Sequence, residues 1–324
     1  MSRILLATLS LIGLLSAAPT FADNYPSKPV RVIVPSSAGG IIDVLPRAIL
    51  QKVSESTGQQ FIVDNRPGAA GIIGSEAAMR AAPDGYTLLV VATAHAINAG
   101  LYPKLPYDTV RDFTPITMVA RLPLYLVVHP SLGVNNVREL IAMAKAKPGQ
   151  IFFASAGNGQ GSHLAGEMFK SLAGINLGHV PYKGAGPALA DVVAGQVPML
   201  FNDPISAMPH IKSGKLKLLA VGTPKRSAAV PDTPTMIEAG VPGFDAYAWL
   251  GILAPAGLPK DIAAKLHAEI TKAMNAPDVY ERFFSPRGGL EVMGYGPDES
   301  ATFIRSEIAK WSKVIKDSGA KPDQ

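Results

Sequence analysis

The sequence of 324 residues predicts an α/β protein in which helices cover the sheets. Short runs of apolar, β-branched residues alternate along the chain with segments whose apolar residues recur at helical spacing, and this alternation is typical of the class. With 48% hydrophobic and 17% charged residues, the chain can bury a sizeable core and does not have the composition of a disordered protein. Its length favours two domains over one.

The alternation predicts the following elements in chain order. The predicted strands are Arg31–Val34, Phe61–Asp64, Thr87–Ala92, Ile116–Ala120, Leu124–Val128, Ile151–Ala154, Gly178–Val180, Met199–Phe201, Leu216–Gly222 and Ala248–Ala254. The predicted helices are Asp43–Gly58, Ile72–Ala81, Asn136–Lys147, Ser162–Ala173, Pro187–Ala194, Asp203–Ser213, Thr233–Ala239, Lys260–Asn275 and Asp298–Ser318. No long linker rich in Pro or Ser divides the chain. We therefore expect it to cross between its domains along strands, at Leu122–Pro130 and Asp245–Pro255.

Three helix boundaries carry local signals. Pro46 is tolerated only in a first helical turn, which places the start of the first helix no earlier than about Ile42. Pro187 is expected at the first position of its helix. In the last helix Asp298 is expected as the N-cap and Gly319 as the residue just past the end. One face of this helix is predicted to be core, and it carries Ile304, Ile308, Trp311 and Ile315.

The first 22 residues have the features of a secretory signal peptide. Arg3 precedes an apolar run, Ile4 to Leu15, that is too short to span a bilayer, and Ala22 marks the expected cleavage site. An N-terminal anchor is the alternative. We expect export to the bacterial periplasm, and a chain without cysteine fits an exported protein that relies on its hydrophobic core instead of disulfides.

Charge and cysteine content narrow the function classes. Removal of Arg3 lowers the formal charge from +5 to +4, and no dense run of Lys and Arg remains, so nucleic acid is not an expected partner. A mild positive charge is compatible with acidic small molecules. The lack of cysteine excludes a disulfide framework, thiolate metal sites and a Cys nucleophile.

Three loops share one pattern, in which a strand is followed by Gly with small residues and then by a helix. They are Ser36-Ser37-Ala38-Gly39-Gly40, Ser155-Ala156-Gly157-Asn158-Gly159-Gln160-Gly161-Ser162-His163 and Tyr182-Lys183-Gly184-Ala185-Gly186. Unpartnered N–H groups at a helix start attract anions, and such loops lie at the carboxyl ends of strands, where ligands bind. The Walker and dinucleotide patterns are both absent. The loops therefore suit a carboxylate, or a phosphate held without magnesium.

Catalysis has little support in the sequence. Neither G-x-S-x-G nor H-E-x-x-H occurs, and the six histidines include no pair spaced three or four apart. Ser162 and His163 are adjacent on a helix and do not face each other, so His163 is expected beside the loop and not as a general base. We expect no catalytic residue, no metal site and no cofactor.

The sequence leaves more than one possible role open for several other residues. His95, directly after a strand, lines a cleft or caps a turn. Asp43 is favoured by the positive end of the helix dipole or, the weaker alternative, orders the loop before it. Asp203 is a candidate for contact with a ligand cation or a water. Tyr247 and Trp249 are hinge packing or a cleft wall.

A series of short motifs along the chain is typical of one known protein family. They are Tyr25-Pro26 with Lys28-Pro29-Val30-Arg31; Val34-Pro35 with Gly39-Gly40, Asp43 and Arg47; Asn65-Arg66-Pro67-Gly68-Ala69 with Gly71; Ala82-Pro83-Asp84-Gly85-Tyr86-Thr87-Leu88; Leu101-Tyr102 with Lys104-Leu105-Pro106-Tyr107-Asp108; Ser155-Ala156-Gly157 with Gly159, Gly161-Ser162-His163-Leu164; Val180-Pro181-Tyr182-Lys183-Gly184; Gly214-Lys215-Leu216; and Ala254-Pro255-Ala256-Gly257. With them the chain resembles the Bug/TctC-type periplasmic solute receptors of tripartite tricarboxylate transporters, over essentially the whole mature sequence.

The resemblance implies a type II periplasmic-binding-protein fold, in which two lobes joined by hinge strands close on a ligand in the cleft. We expect one lobe at residues 23–123 with 248–324 and the other at 124–247. The implied ligand is a small organic carboxylate or dicarboxylate, bound by a monomer and delivered to the membrane subunits of the transporter. A module that docks on a membrane sensor kinase is the alternative.

The resemblance also places the ligand on particular residues. One carboxylate is expected on the loop residues Ser36, Ser37, Ala38, Gly39, Gly40, Ala156, Gly157, Gly161, Ser162, Lys183, Gly184 and Ala185. The rest of the ligand is expected near Ile42, Thr93, His95 and Asp203.

Two departures from the family pattern concern the first loop. Members usually carry a small residue and then Ser or Thr where this chain has Ile41 and Ile42, and Ala is common where it has Pro46. A hydroxyl is thereby replaced by bulky apolar side chains. We expect a less polar pocket, suited to an aromatic or apolar carboxylate.

Overall fold

A computed structural model describes residues 25–322, so the predicted signal peptide lies outside the described residues. The strands are β1 (Val30–Val34), β2 (Phe61–Asn65), β3 (Thr87–Ala92), β4 (Phe113–Pro123), β5 (Tyr125–Val128), β6 (Phe152–Ser155), β7 (Gly178–Pro181), β8 (Met199–Asn202), β9 (Lys217–Val221), β10 (Tyr247–Pro255) and β11 (Glu291–Tyr295). The helices are α1 (Ile41–Thr57), α2 (Ile72–Met79), α3 (Thr93–Leu101), α4 (Val137–Ala146), α5 (Gly161–Ala173), α6 (Ala185–Val193), α7 (Pro204–Lys212), α8 (Lys260–Met274), α9 (Pro277–Val279) and α10 (Pro297–Ser318). The predicted α/β class is confirmed.

The strands form two mixed sheets. The first has the order β11-β4-β10-β3-β1-β2, and the second has the order β7-β6-β8-β5-β9. Strand β1 pairs in parallel with β2 and β3, and β6 pairs in parallel with β7 and β8. Parallel strands end at the same edge of their sheet. The loops that follow β1 and β3 therefore share one edge, as do those that follow β6, β7 and β8.

Helices cover the sheets, and for this reason the strands consist of continuous apolar runs. All four residues of β5 and all four of β8 are buried, because strands covered on both faces need no polar alternation. Helix α10 packs against α3 and β4, and also against α5. Helix α10, which follows the first-sheet strand β11, thus packs against α5, which follows the second-sheet strand β6. No helix within residues 25–322 is long and apolar enough to cross a bilayer.

The chain passes between the sheets twice, at neighbouring points. It leaves the first sheet at Leu124, between β4 and β5, and returns at Ala246, just before β10. Gly222 joins the two passages, since its N–H donates to the Leu124 carbonyl (2.7 Å) and its carbonyl accepts from the Ala246 N–H (3.0 Å). A Cβ at Gly222 would lie 2.4 Å from the Ala246 oxygen, so only glycine fits there. The lobe boundaries proposed from the sequence stay a prediction.

One predicted element is wrong, and three observed elements have no predicted counterpart. The segment Thr233–Ala239 forms turns, because it pairs with the end of β9 through a bridge between Val221 and Thr235. Its Met236 N–H donates to the Val221 carbonyl at 2.9 Å, so it cannot take a helical partner. The elements without a predicted counterpart are helix α3, the short helix α9 and strand β11.

The three helix starts also differ in detail. Helix α1 begins at Ile41, and Pro46 is inside it, in the second turn. Its first turn is tight, since the Gly40 carbonyl accepts from the N–H groups of both Asp43 and Val44. Pro187 is the third residue of α6, where a missing N–H still costs no helical bond.

The last helix keeps most of its predicted features. Its N-cap is Gly296, because Pro297 takes the first helical position, and Asp298 lies in the first turn. Gly319 ends the helix with φ of 69°, as predicted. Ile304 and Trp311 are buried, and Ile308 and Ile315 pack on the core beside them, which confirms the core face.

Candidate functional site

The first loop is held in shape by one buried carboxylate. Asp43 accepts hydrogen bonds from the Gly39 N–H (2.9 Å), from Arg47 Nε (2.8 Å) and from Asn65 Nδ2 (2.9 Å). Asn65 also donates to the Ser36 carbonyl (3.0 Å). Burial opposes the charge on Asp43, but these donors outweigh it and lower the pKa of the carboxyl. The structure thus gives Asp43 the loop-ordering role, the weaker of the two interpretations of the sequence.

The start of α1 leaves backbone donors for a ligand. Gly40 is the N-cap, so the N–H groups of Gly40, Ile41 and Ile42 have no acceptor within the helix. A Cβ added at Gly39 or Gly40 would meet no atom of residues 25–322 within 4 Å. The loop therefore borders open space, and the positive end of the α1 dipole faces it.

The second loop uses several of its own donors internally. Three of its N–H groups donate to nearby side chains: Ala156 to Ser162 Oγ (3.0 Å), Gly157 to Ser155 Oγ (3.1 Å) and Gly159 to His163 Nδ1 (3.2 Å). Helix α5 begins at Gly161, so the N–H groups of Gly161 and Ser162 have no helical acceptor. Ser162 accepts from Ala156, so its own hydroxyl hydrogen can point to a ligand.

The third loop is tied to the second. The Gly184 N–H donates to the Ala156 carbonyl (3.1 Å), and the Tyr182 N–H donates to the Ser155 carbonyl (3.0 Å). Helix α6 begins at Ala185, which leaves the N–H groups of Ala185 and Gly186 without helical acceptors. No atom of the described chain lies within 4 Å of a Cβ added at Gly184 or Gly186. The exposed Lys183 lies next to these donors.

A fourth helix start lies against the second loop. Thr93 is the first residue of α3, and its Oγ1 accepts from the Trp249 N–H (3.0 Å). A Cβ at Gly161 would lie 3.9 Å from the Thr93 Cβ and 4.0 Å from that of Ala248. The starts of α3 and α5, from different sheets, therefore meet. Thr93 was predicted as a ligand contact, but the helix that it begins was missed, because the run Thr93–Leu101 has no capping residue and no polar face.

Two predicted ligand contacts are engaged elsewhere. The buried His95 ring packs against Tyr107 and Phe113, and its Nε2 lies 3.3 Å from the Thr109 carbonyl. Burial lowers the pKa of His95 to about 4. Asp203 is the N-cap of α7 and accepts from the Ser206 N–H (2.9 Å). Neither contact set includes a residue of the three loops, and ligand contact by either residue stays a prediction.

Tyr247 and Trp249 belong to packing at the crossing strands. Both donate to the buried carboxylate of Glu307, Tyr247 through its hydroxyl (3.2 Å) and Trp249 through Nε1 (2.8 Å). Trp311 Nε1 donates to the same group at 2.9 Å, and Lys310 pairs with it. The hinge-packing interpretation of the two aromatic residues fits these contacts.

Other parts of the surface are less suited to an anion. A groove of about 550 Å³ lies between α3, α10 and the segment 102–112, and none of the three loops lines it. Its Asp108 is occupied by the N–H groups of Val110 and Arg111. Among residues 25–322, no group of three or more His, Asp or Glu side chains could hold a metal ion. The free donors at the loops make them the candidate site.

Comparison with known proteins identifies relatives of the whole chain. Residues 45–320 match the family model described as "Tripartite tricarboxylate transporter family receptor". Protein BugT of Bordetella pertussis is 38% identical over 307 residues, which cover 94% of each chain. The structure of Rpa4515 of R. palustris with adipate has a TM-score of 0.85 at 34% identity, covering 92% of this chain and all of that one. MatC (Rpa3494) of Rhodopseudomonas palustris with bound malate has a TM-score of 0.82 at 32% identity, covering 90% of this chain and all of the other.

Proposed function

Because the chain belongs to the family of tripartite tricarboxylate transporter receptors, we propose that it captures a small organic dicarboxylate in the periplasm and delivers it to a membrane transporter. The family is one of solute-binding receptors, and the chain is a receptor and not an enzyme. Two of its structural relatives hold dicarboxylates, adipate and malate, which supports this ligand class.

One observation carries the proposal. The helices α1, α5 and α6 begin with N–H groups that have no helical acceptor, and these starts follow Gly-rich loops at the strand ends. A carboxylate fits such a group of donors, because it accepts several hydrogen bonds and is stabilised by the helix dipoles. No lysine or arginine needs to enter the site. Arg47, in helix α1 next to the first loop, is already paired with Asp43.

The mechanism follows from where the donors lie. Helix α1 belongs to the first sheet, whereas α5 and α6 follow strands of the second. A ligand that bonds to both sets makes contacts that exist only when the two lobes are closed. Its differential affinity for the closed form shifts the population towards it. The closed shape is then the signal that the membrane subunits recognise.

The direct test is titration calorimetry of the mature protein with adipate, malate, citrate and benzoate. We expect a dicarboxylate to bind with an affinity in the micromolar range or tighter, about −8 kcal/mol or more favourable. Small-angle scattering of the same samples should show a smaller radius of gyration with ligand than without. If none of the four acids binds, the ligand class is wrong.

Ile41 and Ile42 refine the ligand class towards less polar dicarboxylates. Both are partly buried, pack on the core of the first sheet and carry the free N–H groups of α1. We expect adipate or an aromatic acid to bind more tightly than citrate. Replacing Ile42 by Ser should shift preference towards malate, whereas Ile73→Ser, a matched change at an exposed position, should not. Tighter binding of citrate by the wild type would contradict the apolar pocket.

A further inference from the structure

We propose that His163 is a positioning residue for the ligand site, acting through the imidazole of His179 and the backbone of the second loop. This inference rests on the proposed carboxylate function, because positioning matters only if the loop binds a ligand. The contacts of His163 with the loop can be tested without a ligand. His163 Nδ1 accepts the Gly159 N–H at 3.2 Å, and both groups are buried. The imidazole thus acts on the loop and does not need to touch the ligand.

The loop needs this support because of its backbone shape. Gly157 and Gly159 have φ of 125° and 74°, and because glycine adopts many conformations with similar ease, side-chain contacts are needed to select this one. Gly159 also lies where the second sheet's loop meets the first sheet, since a Cβ there would be 2.8 Å from Leu101 Cδ2. A shift of Gly159 would move the adjoining start of α5 and its free donors.

His163 and His179 together support Gly157 and Gly159. The rings of His163 and His179 stack with centroids 4.2 Å apart and planes inclined by 14°. His179 in turn stacks on Phe153 (4.7 Å) and places Nε2 2.6 Å from Ser155 Oγ. Ser155 Oγ accepts the Gly157 N–H at 3.1 Å. One stack of rings therefore fixes Gly159 directly and Gly157 through a serine.

The same stack links the second loop to the third. His179 lies on β7, which pairs in parallel with β6 and leads into the loop before α6. The Gly184 N–H then returns to the Ala156 carbonyl (3.1 Å). Displacing the rings would disturb the donors of α5 and α6 together. Their relative placement sets where a carboxylate can bridge them.

Only the neutral form of His163 can accept this hydrogen bond. Burial, the neighbouring His179 and Lys170 lower the pKa of His163 to about 3, so Nδ1 stays an acceptor and Nε2 carries the hydrogen at physiological pH. Glu167, the carboxylate of the same helix, is paired with Lys170 at 2.8 Å. The positioning bond should therefore persist from pH 8 down to pH 5.

The test compares three substitutions of one residue with a matched control. His163→Phe keeps an aromatic ring on His179 but removes the acceptor, His163→Asn keeps an acceptor near the Nδ1 position, and His163→Gln places one near Nε2 instead. His129→Phe is the control, because His129 Nδ1 likewise accepts a backbone N–H, from Ser131 at 3.2 Å, but far along the chain from the loops.

Two measurements read the result. Hydrogen–deuterium exchange of the amides at 157–162 should quicken by roughly 10-fold or more in His163→Phe and His163→Gln, and by clearly less in His163→Asn, which loses the stacked ring but keeps the acceptor. Calorimetric affinity for adipate or malate should weaken by about 2- to 10-fold in the first two variants, as for one lost buried hydrogen bond. His129→Phe should change neither value.

The outcomes separate this inference from the proposed function. Unchanged exchange at 157–162 in His163→Phe overturns the positioning role whatever the ligand. Equal losses in His163→Asn and His163→Phe also overturn it, since the acceptor would then not matter. If the wild type binds neither acid, the proposed function fails, and the exchange comparison still decides whether His163 fixes the loop.

Discussion

Mild acid should destabilise this protein through two buried histidines. The pKa values of His163 and His95 are lowered by burial to about 3 and about 4, against an ordinary value of 6.5. Below pH 6.5 the unfolded chain therefore binds protons at both positions that the folded protein does not bind. Stability contributed by the neutral rings is fully present above pH 6.5 and is lost as pH falls towards the folded pKa values.

The size of the loss follows from the same values. Each pH unit between an unfolded and a folded pKa costs about 1.4 kcal/mol per group. At pH 4.5, two units below the unfolded pKa, each histidine should cost about 2.5 kcal/mol, and the pair about 5 kcal/mol. Whole proteins are stable by about 5–15 kcal/mol, so this loss is a large share of the total.

The assay is urea unfolding at pH 7.5 and pH 4.5, followed by circular dichroism and by fluorescence of the buried Trp249 and Trp311. His163→Asn and His95→Gln should each reduce the loss between the two pH values by about 2.5 kcal/mol. At pH 7.5 both variants are expected to be less stable than the wild type, which separates lost packing from lost proton linkage. If the variants and the wild type lose equal free energy between pH 7.5 and 4.5, the histidines are not buried and neutral as described.

Three further predictions concern the first loop, the crossing strands and the packing of the second sheet. Asp43→Asn removes the charge that holds the Gly39 N–H, so it should cost about 1.5–3 kcal/mol in urea unfolding and weaken dicarboxylate binding; unchanged calorimetric affinity would contradict the loop-ordering role. Glu307→Gln leaves a buried cluster of donors without its charge and should cost about 3 kcal/mol, measured by thermal unfolding; an unshifted midpoint would show that the carboxylate is dispensable. Gly166→Ala places a methyl group 2.2 Å from the Phe153 ring and should cost about 1–3 kcal/mol, which an unaltered urea midpoint would refute.

Local signals in the sequence were enough for much of the fold. The α10 core face was predictable because Ile304 and Trp311 recur at helical spacing, and Gly319 took the left-handed conformation expected past a helix end. The three loops were predictable because glycines and small residues follow β-branched runs. Helix α3 was missed, since Thr93–Leu101 lacks the polar face that usually marks a surface helix, and most of it is buried.

The details of the site depended on contacts between distant residues. The sequence could not show that the Gly157 and Gly159 donors are used internally, because the presence of Ser155 and His163 nearby does not tell which way their side chains point. His179, 16 positions after His163, had no local signal to link it to the loop. Asp43 lies where the sequence predicts it, but its partner Asn65 is the last residue of the neighbouring strand β2. Register between strands, which sequence periodicity does not specify, decided the contacts of His179 and Asn65.

The contacts of Gly222 show that the two chain segments that join the second sheet to the first lie side by side. Leu124 and Ala246 bound a stretch of chain that holds the whole second sheet, yet both lie within one hydrogen bond of the same glycine. The stretch is therefore an inserted segment whose two ends are adjacent. Domain insertion and circular permutation are tolerated best where the chain ends lie close together. The segment should therefore be exchangeable as a cassette between relatives, with Gly222 carried along so that both junctions keep their shape.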